Sequence, residues 1–468
     1  MLSGQGSHHF SILGNHAHKK IRGNQALILY PQKLLRLMLL FLYNLLLPVA
    51  LLVSFPFYLR RMLRRGGYGR NFSQRFGRYS KELTDRFAEG GWTWIRAVSV
   101  GEIVMALRLI EELKRQSPDF KAVISTTTST GYALGQQRRD NRAWIEIIYN
   151  PIDIYPIVST CWRQIRPREA VLIDSDLWPS FLAVAKANRS PVYLANARLS
   201  PRSEKRYRKL RSVTQRLFWR NVTSVFAQDQ VDAERWQRLG VPADRITVTG
   251  SMKYDTDDLV SKMDYRFPAW LQKQGVEAGR PILLGGSLHP GEEDLLLSGF
   301  HLLLAEFPKL FLILVPRHVE RTPEIVQLLR NRNVQFTLRS DPNFRSDPSV
   351  LLVNTTGELR DWYSTATVVV VGKSFYGVGG QNPIEPILAS KPVVVGPHME
   401  NFQYIVDELR KAGGIIQLHS ADALVPTIAD LLRSPAAASS LVVRASKAMA
   451  QHQGAIRRTA AMILGRRR

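Results

Sequence analysis

From Trp92 onward the chain alternates short apolar runs with longer amphipathic stretches, and this alternation restricts the fold more than any other feature. In the first half the candidate strands are WTWIRAVS (92–99), AVIST (122–126), WIEIIYN (144–150), AVLID (170–174), PVYLANA (191–197), SVFAQD (224–229) and ITVTG (246–250). Helical patterns lie between most of them, such as IVMALRLIEELKRQ from Ile103. Strands that are apolar along their whole length need cover on both faces, which implies a parallel sheet flanked by helices. The polar stretch 255–280 breaks the pattern and reads as an interdomain linker. The alternation then resumes with PILLGGS (281–287), LFLILVPR (310–317), SVLLVNT (349–355), TVVVVG (367–372), PVVVGP (392–397) and GIIQLH (414–419). The expected organisation is α/β, with two doubly wound, Rossmann-like domains (63–254 and 281–434) and a cleft between them. Residues 435–468 read as a closing helix and basic tail. Ligands in such sheets sit beyond the carboxyl ends of the strands.

Upstream, Leu37–Leu59 is a run of 23 residues without a formal charge. As a helix it would extend about 34 Å, enough for a bilayer core. The run starts late and lacks a small-residue cleavage site, so it reads as an anchor (35–62) rather than a signal peptide. Asn44, Pro48 and Pro56 leave room for a bent or interfacial anchor. Residues 1–34 read as a disordered basic tail. The net charge of +25 calls for an anionic partner. Because arginines crowd both flanks of the run, that partner is read as a membrane with anionic lipids, and not as nucleic acid. The larger cluster, from Arg60 to Arg78, places the body on the cytoplasmic side. A single cysteine, Cys161, excludes a disulfide framework within the chain and any multi-cysteine metal site.

The strand ends carry the polar motifs. Ser99-Val100-Gly101-Glu102 closes the first strand and opens a helix. Glu102 is either a cleft carboxylate or a first-turn glutamate favoured by the helix dipole, which would keep it ionised. Asp174-Ser175-Asp176 precedes Leu177-Trp178-Pro179, where Asp176 reads as a helix cap more readily than as a metal ligand. Ser287 to Glu293 follows a strand and starts a helix, a geometry that binds phosphate or simply caps a turn. Gly372-Lys373-Ser374 imitates the end of a phosphate-binding P-loop, but Thr367 stands where its first glycine belongs. What remains is a glycine-rich loop ending in Gln381-Asn382-Pro383-Ile384-Glu385-Pro386.

Taken in order, AVSVGE (97–102), TTTSTGYALG (126–135), LWP (177–179), LANARLSPRS (194–203), GSMKYD (250–255), SLHPGEE (287–293), VPRHVER (315–321), GEL (357–359), GGQNPIEP (379–386) and GPHMENF (396–402) are recognisable. Over roughly residues 35–435 the chain resembles the 3-deoxy-D-manno-octulosonic acid (Kdo) transferases of lipopolysaccharide synthesis. These are membrane-anchored enzymes of the two-domain GT-B architecture. The resemblance implies CMP-Kdo as donor and a lipid A precursor as acceptor. It also implies inversion at the anomeric carbon, an inner-membrane location, and no metal or other cofactor.

Glu102 is implied as catalytic base. Donor contacts are implied at Ser287, His289, Glu292, Arg317, His318, Gly357, Glu358, Lys373, Gly379, Gly380, Gln381, Asn382 and Glu385. Ser99, Gly101, Asp174, Asp176, Asn196 and Arg198 fall to the acceptor or cleft. The chain departs from the usual family pattern at Asp174 and Asp176 (glutamates), Gln381 (histidine), Asn354 (aspartate) and Lys373, which interrupts a Gly-Gly-Ser. Two rival readings are a GT-B enzyme using a UDP-sugar on another lipid and a non-catalytic polyanion- or membrane-surface-binding protein.

Overall fold

A computed structural model describes residues 34–56, 60, 71–139, 142–255, 266–341 and 348–466. The expected tail (1–34) falls almost wholly outside these residues, as do the end of the anchor run and most of the basic flank that follows it. Two compact units emerge. The first holds the N-terminal sheet together with the last helix, Ala455–Gly465, and the second runs Tyr254–Gly454.

The first sheet comprises β1 (Trp92–Arg96), β2 (Lys121–Thr126), β3 (Ile145–Tyr149), β4 (Glu169–Ile173), β5 (Val192–Ala197), β6 (Ser224–Ala227) and β7 (Ile246–Val248). All pairings are parallel, in the order β3-β2-β1-β4-β5-β6-β7. The second comprises β8 (Ile282–Leu288), β9 (Phe311–Pro316), β10 (Phe336–Leu338), β11 (Val350–Leu352), β12 (Val368–Val371), β13 (Val393–Val395) and β14 (Ile416–Gln417). It too is parallel, ordered β10-β11-β9-β8-β12-β13-β14. In the first sheet the chain winds outward from β1 to β3 and then returns to the other side, whereas in the second β10 takes the edge and β11 fills the place between it and β9 before the chain crosses to the other side. The order therefore reverses between β1 and β4, and again between β8 and β12. Such reversal points open a crevice at the strand ends where ligands sit.

The strands are buried on both faces, as their composition demands. All five residues of β1 are buried, including Thr93 and Arg96. Separate apolar clusters line the two faces of each sheet. On the first sheet, Ile103, Ala106, Ile110 and Leu113 of the helix Val100–Gln116 form an inward stripe at three- and four-residue spacing. That stripe meets Ile456, Ala460 and Ile463. The helix that carries Glu102 is thus clamped from outside by the last helix of the chain.

Two expectations change. The stretch 255–280 is not a bare linker, because it contains the helix Arg266–Lys273. Phe267 and Leu271 of that helix are buried in the second unit, with Phe267 stacked 3.9 Å from Trp362. Its large apolar residues, Phe267, Trp270 and Leu271, fall on one face, which the overall polarity of the segment conceals. The segment 435–468 divides: Pro435–Ala450 belongs to the second unit and Ala455–Gly465 to the first.

Candidate functional site

In the first unit the polar groups gather at the β1/β4 reversal. Ser99 caps the helix Val100–Gln116, its Oγ accepting the Glu102 N–H at 3.3 Å. Glu102 reaches back: Oε1 accepts the Ser99 hydroxyl at 2.9 Å and Oε2 the Val98 N–H at 2.8 Å. This reciprocal pairing is a variant of the capping box in which the carboxylate reaches the N–H of the residue before the cap. It fixes the carboxylate while leaving each oxygen a further lone pair. The helix N-terminus favours the ionised form of Glu102, but burial acts against it. Burial pushes its carboxyl up to about 7, the charges of Asp174 and Asp176 add to the rise, and the Val98 and Ser99 hydrogen bonds oppose it.

Asp174 and Asn196, both non-glycine residues in the left-handed region (φ 59° and 58°), end β4 and β5. Asn196 Nδ2 donates to Asp174 Oδ1 at 2.6 Å, while its Oδ1 accepts the Met252 N–H at 2.9 Å. Burial raises the Asp174 carboxyl, against Asn196 and the nearby charges of Arg198 and Lys253. Strained backbone at a strand end is a frequent mark of a working site. The Ser175 hydroxyl donates to the Arg198 carbonyl, which ties this end to the β5 loop.

Asp176 does not cap the following helix. Its Oδ2 accepts Arg96 Nε at 3.0 Å, and its Oδ1 accepts the Trp178 indole N–H. The cap comes instead from Asp153, whose carboxylate accepts the N–H groups of Ser180 (2.9 Å) and Phe181 (2.8 Å). Asp174 and Asp176 thus face different partners. Gly101 lies at the exposed helix start with open space around it.

The second unit repeats the plan at the β8/β12 reversal. Ser287 and Lys373 end these strands with φ of 55° and 56°. Gly372 is required between them, because a Cβ there would fall 2.3 Å from the Ser287 carbonyl. Glu292 is buried, and its carboxylate accepts four backbone N–H groups: His289 (2.9 Å), Lys373 (2.6 Å), Ser374 (2.9 Å) and Phe375 (3.1 Å). It shapes both loops, so its oxygens are committed to backbone and are not offered to a donor.

Around it, Gln381 Nε2 lies 3.2 Å from His289 Nε2, and the His289 and His318 rings are 5.9 Å apart. Burial lowers the His289 imidazole, with Lys373, His318 and Arg321 acting in the same direction. Gly379 (φ 109°) donates its N–H to Glu400 at 2.6 Å, and Gly380 (φ 68°) donates to the Lys373 carbonyl at 3.1 Å. Asn382 caps Ile384 at 3.0 Å and donates to Glu385 at 3.2 Å. Burial raises the Glu385 carboxyl against the fields of Arg360 and Arg317. Arg317 and His318 present exposed side chains beyond β9.

Glu358 stands apart. It accepts Arg339 (3.2 Å) and the Thr355 hydroxyl (2.5 Å), next to the exposed Gly357. Three neighbours of these groups were not singled out in the sequence: Arg96, Asp153 and Lys253. Arg96 alone left a signal, as a charge within an otherwise apolar strand that must find a buried partner.

Two parallel, doubly wound seven-stranded sheets, each with left-handed polar residues at its reversal point, define an α/β enzyme of the GT-B class. A UDP-GlcNAc 2-epimerase from Neisseria meningitidis shares this fold, with a TM-score of 0.51 at 14% identity over 80% of this chain and 100% of that one. A family model described as 3-Deoxy-D-manno-octulosonic-acid transferase (kdotransferase) matches residues 70–256. A 3-deoxy-D-manno-octulosonic acid transferase of Haemophilus influenzae is 30% identical over 397 residues, covering 81% of this chain and 90% of that protein. One of Bordetella pertussis is 30% identical over 409 residues, covering 86% and 93%. The chain belongs to the Kdo transferase family of lipopolysaccharide synthesis, and it is a glycosyltransferase.

Proposed function

We propose that the chain transfers Kdo from CMP-Kdo to a lipid A precursor at the cytoplasmic face of the inner membrane, inverting the anomeric centre, with Glu102 as general base. The observation that carries this reading is the Glu102 carboxyl, fixed by a capping box and pushed up to about 7. A base works best when its proton affinity lies near the working pH, and this group meets that condition. Attack on the donor requires a hydroxyl that loses its proton as the new bond forms. Glu102, ionised above about pH 7, takes that proton through a free lone pair. Burial first, and then the charges of Asp174 and Asp176, hold its affinity high, while Asn196 and Arg96 fix those two carboxylates in turn.

The donor falls to the second unit, where the loops after β8 and β12 converge. Lys373 and the exposed Arg317 supply positive charge to a phosphate that gains charge as CMP departs. Glu292 builds the frame that presents them. The apolar helix Leu34–Pro56 supports the anchor reading by length and composition, with a mean hydropathy of 2.3.

Glu102→Gln keeps the size and removes the base. Turnover of labelled CMP-Kdo should fall by roughly 10²–10⁴ while CMP-Kdo binding and the fold persist. Near-normal transfer by a folded variant excludes the role and moves it to Asp174. CMP competing with the donor where UDP does not separates this reading from a UDP-sugar enzyme.

A further inference from the structure

The helix Leu34–Pro56 has one feature that length and hydropathy do not reveal: its middle is hydrogen-bonded to the globular body. Tyr43 donates its hydroxyl to Asp153 Oδ2 at 3.0 Å. Asn44 Oδ1 accepts the Tyr155 N–H at 2.6 Å, and its Nδ2 donates to Ser180 Oγ at 3.1 Å. Asp153 is the buried carboxylate that caps the helix Pro179–Ala187, so the contact reaches a structural element of the first unit.

The contact also has a face. Arg36, Leu40, Tyr43, Leu47, Leu51 and Ser54 are half-buried, at three- and four-residue spacing along the length of the helix. Phe41, Leu52 and Val53 on the other side are 70%, 75% and 77% exposed.

Depth decides what this means. Asn44 lies next to the midpoint of the helix, with roughly 15 Å of helix on either side of it. A bilayer core is about 30 Å thick, so a crossing helix would carry Asn44 to its centre. Asp153, Tyr155 and Ser180 would go with it, together with the loop that bears them. Irregular backbone and a buried carboxylate of a water-soluble α/β domain cannot occupy that depth. The basic groups agree. Burial lowers the Lys186 ammonium from the ordinary value, and the nearby charges of Arg36, Arg220 and Arg245 lower it further. A cluster of cations at the Arg36 end of the helix suits anionic headgroups at a membrane surface.

We propose that the helix Leu34–Pro56 does not cross the bilayer but lies along the first unit, docked through Tyr43 and Asn44, with its outer leucine face sunk into one leaflet of an anionic membrane. Both ends of the helix then stay on the same side as the body. This rests on the membrane reading above and narrows it from an anchor to an interfacial surface. It also assigns Asn44, a residue that weakens an anchor helix, a positive task as the docking amide.

The test uses the full chain in sealed membrane vesicles. Ser3→Cys and Ser439→Cys place one thiol before the helix and one on the exposed body, while the buried Cys161 stays unlabelled as long as the chain is folded. A membrane-impermeant maleimide should label both positions from the same side. Labelling from opposite sides overturns the proposal. Single cysteines at Met38, Leu45 and Leu52, seven residues apart on the outer face, carry an environment-sensitive fluorophore in vesicles containing phosphatidylglycerol.

Quenchers placed at graded depths in the lipid should report one shared, shallow depth. A profile deepest at Leu45 means a crossing helix and overturns the inference. The absence of quenching at all three, with the chain still vesicle-bound, means that something other than lipid covers the face, such as a second copy, and equally overturns it. Recovery of the full chain in the soluble fraction instead refutes the membrane reading itself.

Discussion

Replacing Glu102 with Gln should change stability in a way that depends on pH, and that dependence tests the electrostatic reasoning separately from catalysis. In the folded protein the carboxyl titrates at about 7, against an ordinary value of 4.5. The native state therefore holds this proton more tightly than the unfolded chain. Between pH 4.5 and 7 the unfolded state releases its proton first, so the group's contribution to stability is full at low pH and is lost as pH rises through 7. The difference corresponds to about 3 kcal/mol, which solvent at this half-buried side chain screens to about 1–2 kcal/mol.

Glutamine does not titrate. Its Oε1 can accept the Val98 N–H and its Nε2 can donate to the Ser99 hydroxyl oxygen, so both contacts have a neutral counterpart. Relative to wild type, the variant should therefore gain about 1–2 kcal/mol between pH 5 and pH 8. Urea unfolding of both proteins at the two pH values measures this directly. The same wild-type carboxyl should give turnover an acid limb near pH 7. A stability difference that is flat with pH, or one that moves against the variant at pH 8, would refute the assignment of a raised proton affinity to Glu102.

Further outcomes follow from the surrounding contacts. Arg96→Met leaves Asp176 without its guanidinium partner inside the first unit, and breaking such a buried pair should cost about 3–5 kcal/mol in urea unfolding. Where the variant folds, the acid limb of turnover should move upward, because Asp176 then acts on Glu102 unscreened. Glu292→Gln offers one acceptor oxygen to four backbone N–H groups, so thermal unfolding should report a loss of about 2–4 kcal/mol. Arg317→Ala, at an exposed position, should leave unfolding within about 0.5 kcal/mol of wild type and weaken CMP binding in calorimetry.

Of the fourteen strands described, the apolar runs located thirteen. The exception, Phe336–Leu338, is an edge strand of three residues with only Thr337 buried, too short to stand out from its polar surroundings. The reversal points follow from strand order, which sequence does not state, yet the motifs that fall at them were visible as Ser99–Glu102, Asp174–Asp176, Ser287–Glu292 and Lys373. Side-chain commitment was not visible. Glu292 in a conspicuous motif is consumed by backbone N–H groups, and Asp176 is held by Arg96 rather than by its own helix. Asp153, the actual cap, lies more than twenty residues upstream of the N–H groups it binds. The raised proton affinity of Glu102 also escaped, because a helix terminus and burial pull in opposite directions and only packing decides between them.

A transfer assay measures most directly whether the chain moves Kdo onto lipid A. Purified full chain would be incubated with labelled CMP-Kdo and a tetra-acyl lipid A precursor in phosphatidylglycerol vesicles. Label should appear in the lipid product with stoichiometric release of CMP, and both should be lost with Glu102→Gln. Tight CMP-Kdo binding with no labelled lipid, or transfer from a UDP-sugar in its place, would contradict the Kdo transfer reading.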